Sequence, residues 1–326
     1  MKSKSLLLFG GTGFVGKSVL KYFLSNSSLK KKFNKIIIVS THKLKINKFY
    51  KELRKNYNLI KINSDISKLK KIPYANYVLY AAILKNYQKD YKAFYNYLSL
   101  AKIYHLNSKI LYLSSGAVYG VQKRIRGFEE NYLISDKKIK FDKKLKYKQF
   151  KQSKQEYSSI KLKNENLLQE FGKKYRTKVS IARCFSFAGE YLPLNSQYAL
   201  GNFIKNILNR EDIKVKSNYR VTRSYMYSDD LVRWLLKIIN TSSPDCPIYN
   251  VGSDDPISIH ELASILSKKY DLNVDFKDKI INEKNDIYIP NIQKAKKRLN
   301  LTNNFNSLDA IFKTINILKK KYEKTN

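Results

Sequence analysis

A chain of 326 residues with 43% hydrophobic side chains is long enough to bury a full core, as one large α/β unit or about two domains. It shows no apolar run near the ~20 residues of a membrane span, and its two cysteines, Cys184 and Cys246, are too few for a disulfide framework or a metal cluster. The formal charge of +38 is spread along nearly the whole chain without a basic-aromatic reader module, which argues against a nucleic-acid partner and for a solvated surface that favours anionic small molecules.

Met1 to Phe9 leads straight into a glycine loop rather than a cleavage site, so a cytoplasmic protein without bound metal is expected. Ser5 to Phe9 reads as a buried strand, and Lys17 to Leu24 has helical apolar spacing at Val19, Leu20, Phe23 and Leu24. Between them Gly10, Gly13 and Gly16 form G-x-x-G-x-x-G. Strand, glycine turn and helix in that order make a cradle for a dinucleotide pyrophosphate, held by the N–H groups and positive dipole of the helix start around Phe14 and Val15.

A second strand is expected at Ile36 to Ser40. Its end, Ser40-Thr41-His42-Lys43, offers no carboxylate to repel a 2′-phosphate and several groups that donate to one, so NADP is expected over NAD. The third strand, Leu59 to Ile62, leads to Asp65 and Ile66, placed to hold an adenine edge. The fourth, Tyr77 to Ala82, ends in Ala81 and Ala82, small residues beside the cofactor. A helix around Lys92 to His105, a strand at Lys109 to Ser114, a helix from about Ser153 to Tyr175 and a strand at Lys178 to Phe185 follow. Strands alternating with helices predict an α/β fold, a doubly wound parallel sheet. Asp136 to Lys154, with nine lysines and no periodicity, is expected to be an exposed insertion.

Beyond Cys184 the pattern loosens. Glu190 to Ala199 is irregular, helices are expected at Gly201 to Asn209, Asp229 to Ile239, Ser258 to Tyr270 and Ser307 to Lys321, and a strand at Tyr249 to Val251. Ser258 and Glu261 have capping-box spacing. The expected division is a Rossmann domain over 1–186 plus about 221–252, and a smaller α/β substrate-binding part over 187–220 and 253–326.

Five stretches in this order are similar to the extended short-chain dehydrogenases of the NAD-dependent epimerase/dehydratase type, which act on nucleotide sugars. They are GGTGFVG from Gly10, LSSGAVYG from Leu113, YSSIK from Tyr157, RSYMYSDDL from Arg223 and YNVGS from Tyr249. The resemblance implies a Ser115, Tyr157 and Lys161 acid–base unit, with Lys161 also holding the nicotinamide ribose. It further implies that Arg223 contacts the nucleotide diphosphate, that Ser186 and Asn202 face substrate, that Asp230 supports its loop, and that the enzyme is a homodimer.

The Y-x-x-x-K motif needs context, because 26 Tyr and 54 Lys in 326 residues give roughly four matches by chance. Four are present, at Tyr57/Lys61, Tyr119/Lys123, Tyr147/Lys151 and Tyr157/Lys161. Tyr157 is favoured over Tyr147, because it opens a sustained helical pattern through Leu162, Leu167, Leu168 and Phe171. The chemistry suits it: a phenol is a poor base at neutral pH, and an ammonium one turn away stabilises its phenolate.

The chain departs from two branches of the family. Sugar 4,6-dehydratases resemble one another in an Asp-Glu pair after the Ser/Thr, and decarboxylases keep the Glu; Gly116-Ala117 stands here instead. Ser186 replaces the Asn found there in many epimerases. The leading reading is therefore an NADPH-dependent reductase of a 4-keto sugar nucleotide. A C4 epimerase with retained NAD is the alternative, and a 4,6-dehydratase or a non-catalytic dinucleotide-binding protein stands behind both.

Overall fold

The computed structural model describes residues 3–41, 48–84, 86–120, 122, 125–132, 149–195, 198–276 and 285–323. His42, Lys43, Tyr147 and 136–148 of the lysine-rich segment lie outside the described residues. The first part of the chain runs β1 (Lys4–Phe9), α1 (Phe14–Ser25), α2 (Ser27–Lys32), β2 (Phe33–Ser40), α3 (Lys48–Asn56), β3 (Asn58–Asn63), β4 (Tyr77–Tyr80), α4 (Tyr87–Tyr104), β5 (Lys109–Ser115), α5 (Gln149–Tyr175) and β6 (Lys178–Cys184). It continues with β7 (Phe187–Ala188), α6 (Ala199–Asn209), β8 (Ile213–Val215), β9 (Arg220–Arg223), β10 (Met226–Tyr227), α7 (Ser228–Asn240) and β11 (Ile248–Val251). The last elements are β12 (Ile257–Ser258), α8 (Ile259–Tyr270), β13 (Val274–Phe276), β14 (Asn285–Tyr288), α9 (Gln293–Leu299) and α10 (Ser307–Tyr322).

The chain divides into two units. The first holds Met1–Gly120, Glu130–Cys184 and Val232–Tyr249, the second Val121–Glu129, Phe185–Leu231 and Asn250–Asn326. The return segment of the first unit is thus shorter than the expected 221–252.

A seven-stranded sheet in the order β3-β2-β1-β4-β5-β6-β11 organises the first unit. The pairs from β3 through to β6 are parallel. Strand order reverses beside β1, the switch point at which a doubly wound sheet leaves a crevice beyond its carboxyl ends. Leu6 to Phe9 and Ile36 to Val39 are buried throughout, as strands covered on both faces must be. Phe9, Tyr80, Phe94, Tyr97 and Tyr112 pack ring against ring in this core, with Phe94 and Tyr112 centroids 4.5 Å apart.

Two helices begin earlier than the apolar spacing suggests. α4 starts at Tyr87 because Asn86 caps it, its side chain accepting from the Lys89 N–H at 2.9 Å. α5 starts at Gln149 and so absorbs the end of the lysine-rich segment. In the second unit a separate core gathers Phe203, Ile204, Leu262, Leu266, Ile311 and Ile315 beneath the short strand groups β12-β9-β14, β10-β7 and β13-β8. Ser258 caps α8 by accepting from Glu261 N–H, as the capping-box spacing predicts. Among the described residues no helix is long and apolar enough to cross a membrane.

Candidate active site

The loop after β1 is shaped by contacts that forbid side chains. Gly10 has φ +80°, and a Cβ there would sit 2.8 Å from the Ala81 carbonyl oxygen; one at Gly16 would sit 2.3 Å from the Gly10 carbonyl oxygen. These two glycines are demanded by the packing of loop, β4 and α1. Gly13 differs, since a Cβ there would meet only the Gly10 oxygen at 3.5 Å. The fold itself would accept a side chain at this exposed position, so its openness fits the close approach of a ligand. Gly13 is also the N-cap of α1 and offers no side-chain cap, and no acid stands in the first turn with Phe14 and Val15. Backbone donors at such a helix start suit a pyrophosphate.

At the end of β2 the Ser40 and Thr12 hydroxyls lie 3.1 Å apart. Ser40 is buried while Thr41 is exposed, and no carboxylate stands at either position. Asp65 is partly engaged within its own turn, where Oδ1 accepts from Ser67 N–H at 2.9 Å and Ser67 Oγ–H at 2.8 Å, capping the 3-10 turn Ile66–Lys68. That hydrogen bonding holds its carboxyl below the usual range. Ala81 and the buried Ala82 follow β4 beside Gly10, so Gly10, Ser40, Asp65 and Ala81 stand just at or beyond the carboxyl ends of β1, β2, β3 and β4.

Ser115 ends β5 and is buried, in register with Cys184 at the end of β6. Its Oγ accepts from Ala117 N–H at 3.2 Å and starts the 3-10 turn Gly116–Tyr119. Tyr157 and Lys161 lie one turn apart on α5, which packs on β5 and on that turn. Tyr157 is half-buried with its ring 5.8 Å from that of Tyr87. Lys161 is 1% exposed, donates to the Leu113 carbonyl at 3.4 Å, and lies 5.0 Å from the Tyr112 ring centre and 5.9 Å from that of Tyr157. Burial lowers this ammonium's pKa, while Asp90, Cys184 and Glu165 raise it.

Two ion pairs are built here, and a reading of motifs names neither Asp90 nor the role of Arg183. Asp90 of α4 is buried with Oδ2 3.9 Å from Lys161 Nζ. Its signal is a carboxylate on the same helical stripe as Ala93, Phe94 and Tyr97, all buried. Arg183 binds both Glu165 oxygens, the closest at 2.7 Å, and donates to Tyr119 Oη at 2.8 Å and to the Glu130 carbonyl at 3.1 Å. Glu165 thus serves the architecture around the Tyr–Lys turn.

In the second unit Arg223 closes β9. It donates to the carbonyls of Thr222 at 2.8 Å and Asp286 at 2.7 Å, and pairs with Asp286 Oδ2 at 3.0 Å. Its guanidinium also lies 6.0 Å from the Tyr288 ring centre. Asn202 is half-buried on α6, and half-buried Ser186 accepts from Met226 N–H through its carbonyl. Asp230 supports its surroundings, accepting from Asn304 N–H at 2.8 Å.

A model of the NAD dependent epimerase/dehydratase family matches residues 6–252. The chain is 24% identical over 291 residues to an uncharacterised protein of Methanocaldococcus jannaschii, covering 82% of this chain and 81% of that one. It is 26% identical over 147 residues to UDP-glucuronic acid decarboxylase 2 of Arabidopsis thaliana, covering 44% of this chain and 32% of the relative. Among solved structures it resembles a dTDP-glucose 4,6-dehydratase of Bacillus anthracis in complex with NAD, with TM-score 0.77 and 17% identity over 98% of both chains. It also resembles a UDP-glucuronic acid 4-epimerase of Bacillus cereus in complex with UDP-glucuronic acid and NAD, with TM-score 0.74 and 18% identity over 98% of this chain and 100% of that one. At such identities the structural likeness is one of fold.

Proposed function

The chain belongs to the NAD dependent epimerase/dehydratase family of enzymes, and from that premise we propose that it binds NADP in the first unit and reduces the 4-keto group of a nucleotide-activated sugar. The observation that carries this reading is the turn after Ser115. Buried Gly116 and half-buried Ala117 occupy it, so the hydroxyl, phenol and ammonium of Ser115, Tyr157 and Lys161 have no carboxylate at either of the next two positions. Elimination of water needs an acid and a base of its own, and Ala117 supplies neither, nor the Glu expected of a decarboxylase.

What remains suited to these groups is proton transfer at one sugar oxygen. Tyr157 gives its phenolic proton to the oxygen as the carbonyl becomes an alcohol. Lys161, charged and close to the ring, stabilises the phenolate left behind. Ser115 hydrogen-bonds the same oxygen and fixes its position. Gly10, Gly13 and the start of α1 would hold the pyrophosphate, Ser40 and Thr41 the adenosine ribose, and Lys161 the nicotinamide ribose. When bound, the reduced cofactor supplies the hydride. Tyr157 then regains its proton from water.

The absence of a carboxylate at the end of β2 supports NADP, because a 2′-phosphate meets hydroxyl donors there and no repelling charge. Arg223 is the candidate for the sugar nucleotide's diphosphate, a fork for paired oxygens that would exchange Asp286 for phosphate, with Ser186 and Asn202 as further substrate contacts. A cytoplasmic homodimer, without nucleic-acid or membrane partner, belongs to the same reading.

The test is a panel of 4-keto sugar nucleotides supplied with NADPH while absorbance of the reduced nicotinamide is followed. Loss of absorbance with one keto sugar and an alcohol product is expected. No loss with any keto sugar, together with interconversion of a hexose nucleotide pair, would establish a C4 epimerase instead.

A further inference from the structure

Lys161 carries a charge in a place that solvates it poorly. At 1% exposure its ammonium has one hydrogen bond among the described residues, the long one of 3.4 Å to Leu113. A buried charge persists only where an opposite charge or several hydrogen bonds offset its lost hydration. The opposite charge is Asp90, with Oδ2 3.9 Å away and 3% of the residue exposed.

Asp90 is fixed from two sides. It stands in the first turn of α4, where the helix dipole favours a carboxylate. Its Oδ1 accepts from the Leu84 N–H at 2.9 Å, so the carboxylate cannot swing away without breaking the segment between β4 and α4. Lys161 is fixed as well, by α5 and the ring of Tyr112.

We propose that Asp90 is a positioning residue of this site: its carboxylate keeps Lys161 a charged ammonium and, through Lys161, holds the Tyr157 phenol where it exchanges protons near neutral pH. The proposal rests on Tyr157 being the acid of the reaction. The titratable groups around the pair are Tyr80 of β4, Tyr112 of β5, Cys184 of β6, Glu165 and Tyr157 of α5, and Tyr87 of α4. Burial raises Tyr80 and Tyr112 well above the usual phenol range and pushes the Cys184 thiol up to about 12. Glu165 is occupied by Arg183. Among the described residues Asp90 is the carboxylate that most opposes the burial that lowers Lys161, and Lys161 in turn opposes the burial that raises Asp90.

The experiment uses the ligand-free full chain with tyrosine labelled by carbon-13 at Cζ. The resonance that disappears in Tyr157→Phe identifies Tyr157, and NMR follows its titration. In Asp90→Asn the Tyr157 midpoint is expected to rise by about one pH unit or more, the scale of losing a nearby opposite charge, and Asp90→Glu should restore much of it. Lys161→Met should also raise the midpoint, and Asp90→Asn added to Lys161→Met should raise it no further. A Tyr157 midpoint that is unmoved or lowered in Asp90→Asn overturns the proposal. So does an equal rise in the Lys161→Met background. Should Asn unsettle α4, Asp90→Ser keeps an acceptor for Leu84 and carries the same expectation. Because no substrate is present, an inert keto-sugar panel would remove the reductase reading without touching this result.

Discussion

Arg183 and Glu165 form one buried ion pair in the first unit and Lys161 and Asp90 another, with the α5 members of the two pairs a single helical turn apart. The first is densely bonded. Its guanidinium donates to two carboxylate oxygens, a phenol and a carbonyl, and these partners raise Arg183 further despite burial. The second is open, with 3.9 Å between charges and one long hydrogen bond on the ammonium. Four of the five guanidinium N–H donors of the first pair are engaged, whereas the ammonium of the second has one long bond among the described residues and room for a further partner. The difference separates architecture from chemistry within one helix, although both pairs are equally hidden from water.

Breaking the densely bonded pair should have the largest effect on stability. Glu165→Gln leaves the buried guanidinium, which cannot shed its proton, without its partner and should cost about 3–5 kcal/mol, read as a lower urea midpoint with the slope unchanged. Lys161→Met should cost much less, because the remaining Asp90 carboxyl can take up a proton. If both variants lose the same stability, the contrast between the pairs fails.

His105 shows what a buried titratable group does with no opposite charge beside it among the described residues. It is fully buried, its Nε2 donates to the Pro73 carbonyl at 3.1 Å, and burial lowers its pKa from 6.5 to about 4. The unfolded chain therefore binds this proton more readily than the folded one. The resulting stability is fully present above about pH 6.5 and is lost as pH falls toward 4, about 3 kcal/mol over that window. Denaturant titrations of wild type and His105→Asn across it should converge on the acid side. Parallel curves would show that His105 is not the source.

On the open side, Tyr157→Phe should lose at least ~100-fold in turnover, the scale of a missing general acid, with its thermal midpoint close to wild type. Tyr147→Phe should turn over normally. A dead Tyr147→Phe beside an active Tyr157→Phe would move the acid to the lysine-rich segment and detach it from Lys161. The smallest effect concerns the cofactor: calorimetric titration should show NADP binding about tenfold more tightly than NAD, one charge-assisted hydrogen bond to the 2′-phosphate. Equal or reversed affinities would move weight to an epimerase with retained NAD.

Much of the fold follows from local pattern. The apolar runs at Leu6 to Phe9 and Ile36 to Val39, the glycine spacing between the first strand and helix, and the alternation through Cys184 specify a doubly wound sheet, because strand and helix periods are properties of neighbouring residues. The short strands β7 to β10 and β12 to β14 escape notice, since two to four residues are too few to display a period. Helix starts at Tyr87 and Gln149 escape for a similar reason, one being set by a cap and the other lying in a stretch rich in lysine.

The sequence by itself pointed to the glycine loop between the first strand and helix and to the alternation of the principal strands and helices as far as Cys184, and it offered Tyr157 as one of four Y-x-x-x-K tyrosines. Only the tertiary structure decided that Gly13 is open while Gly10 and Gly16 are closed, that Asp65 caps its own turn, and that Arg223 is paired with Asp286. It also decided that Asp90 faces Lys161 across 71 positions of chain. For the ion pairs the physical reason is that a charged side chain takes its partner from whatever element packs against it, and nothing in the spacing of residues along one chain segment records which element that will be.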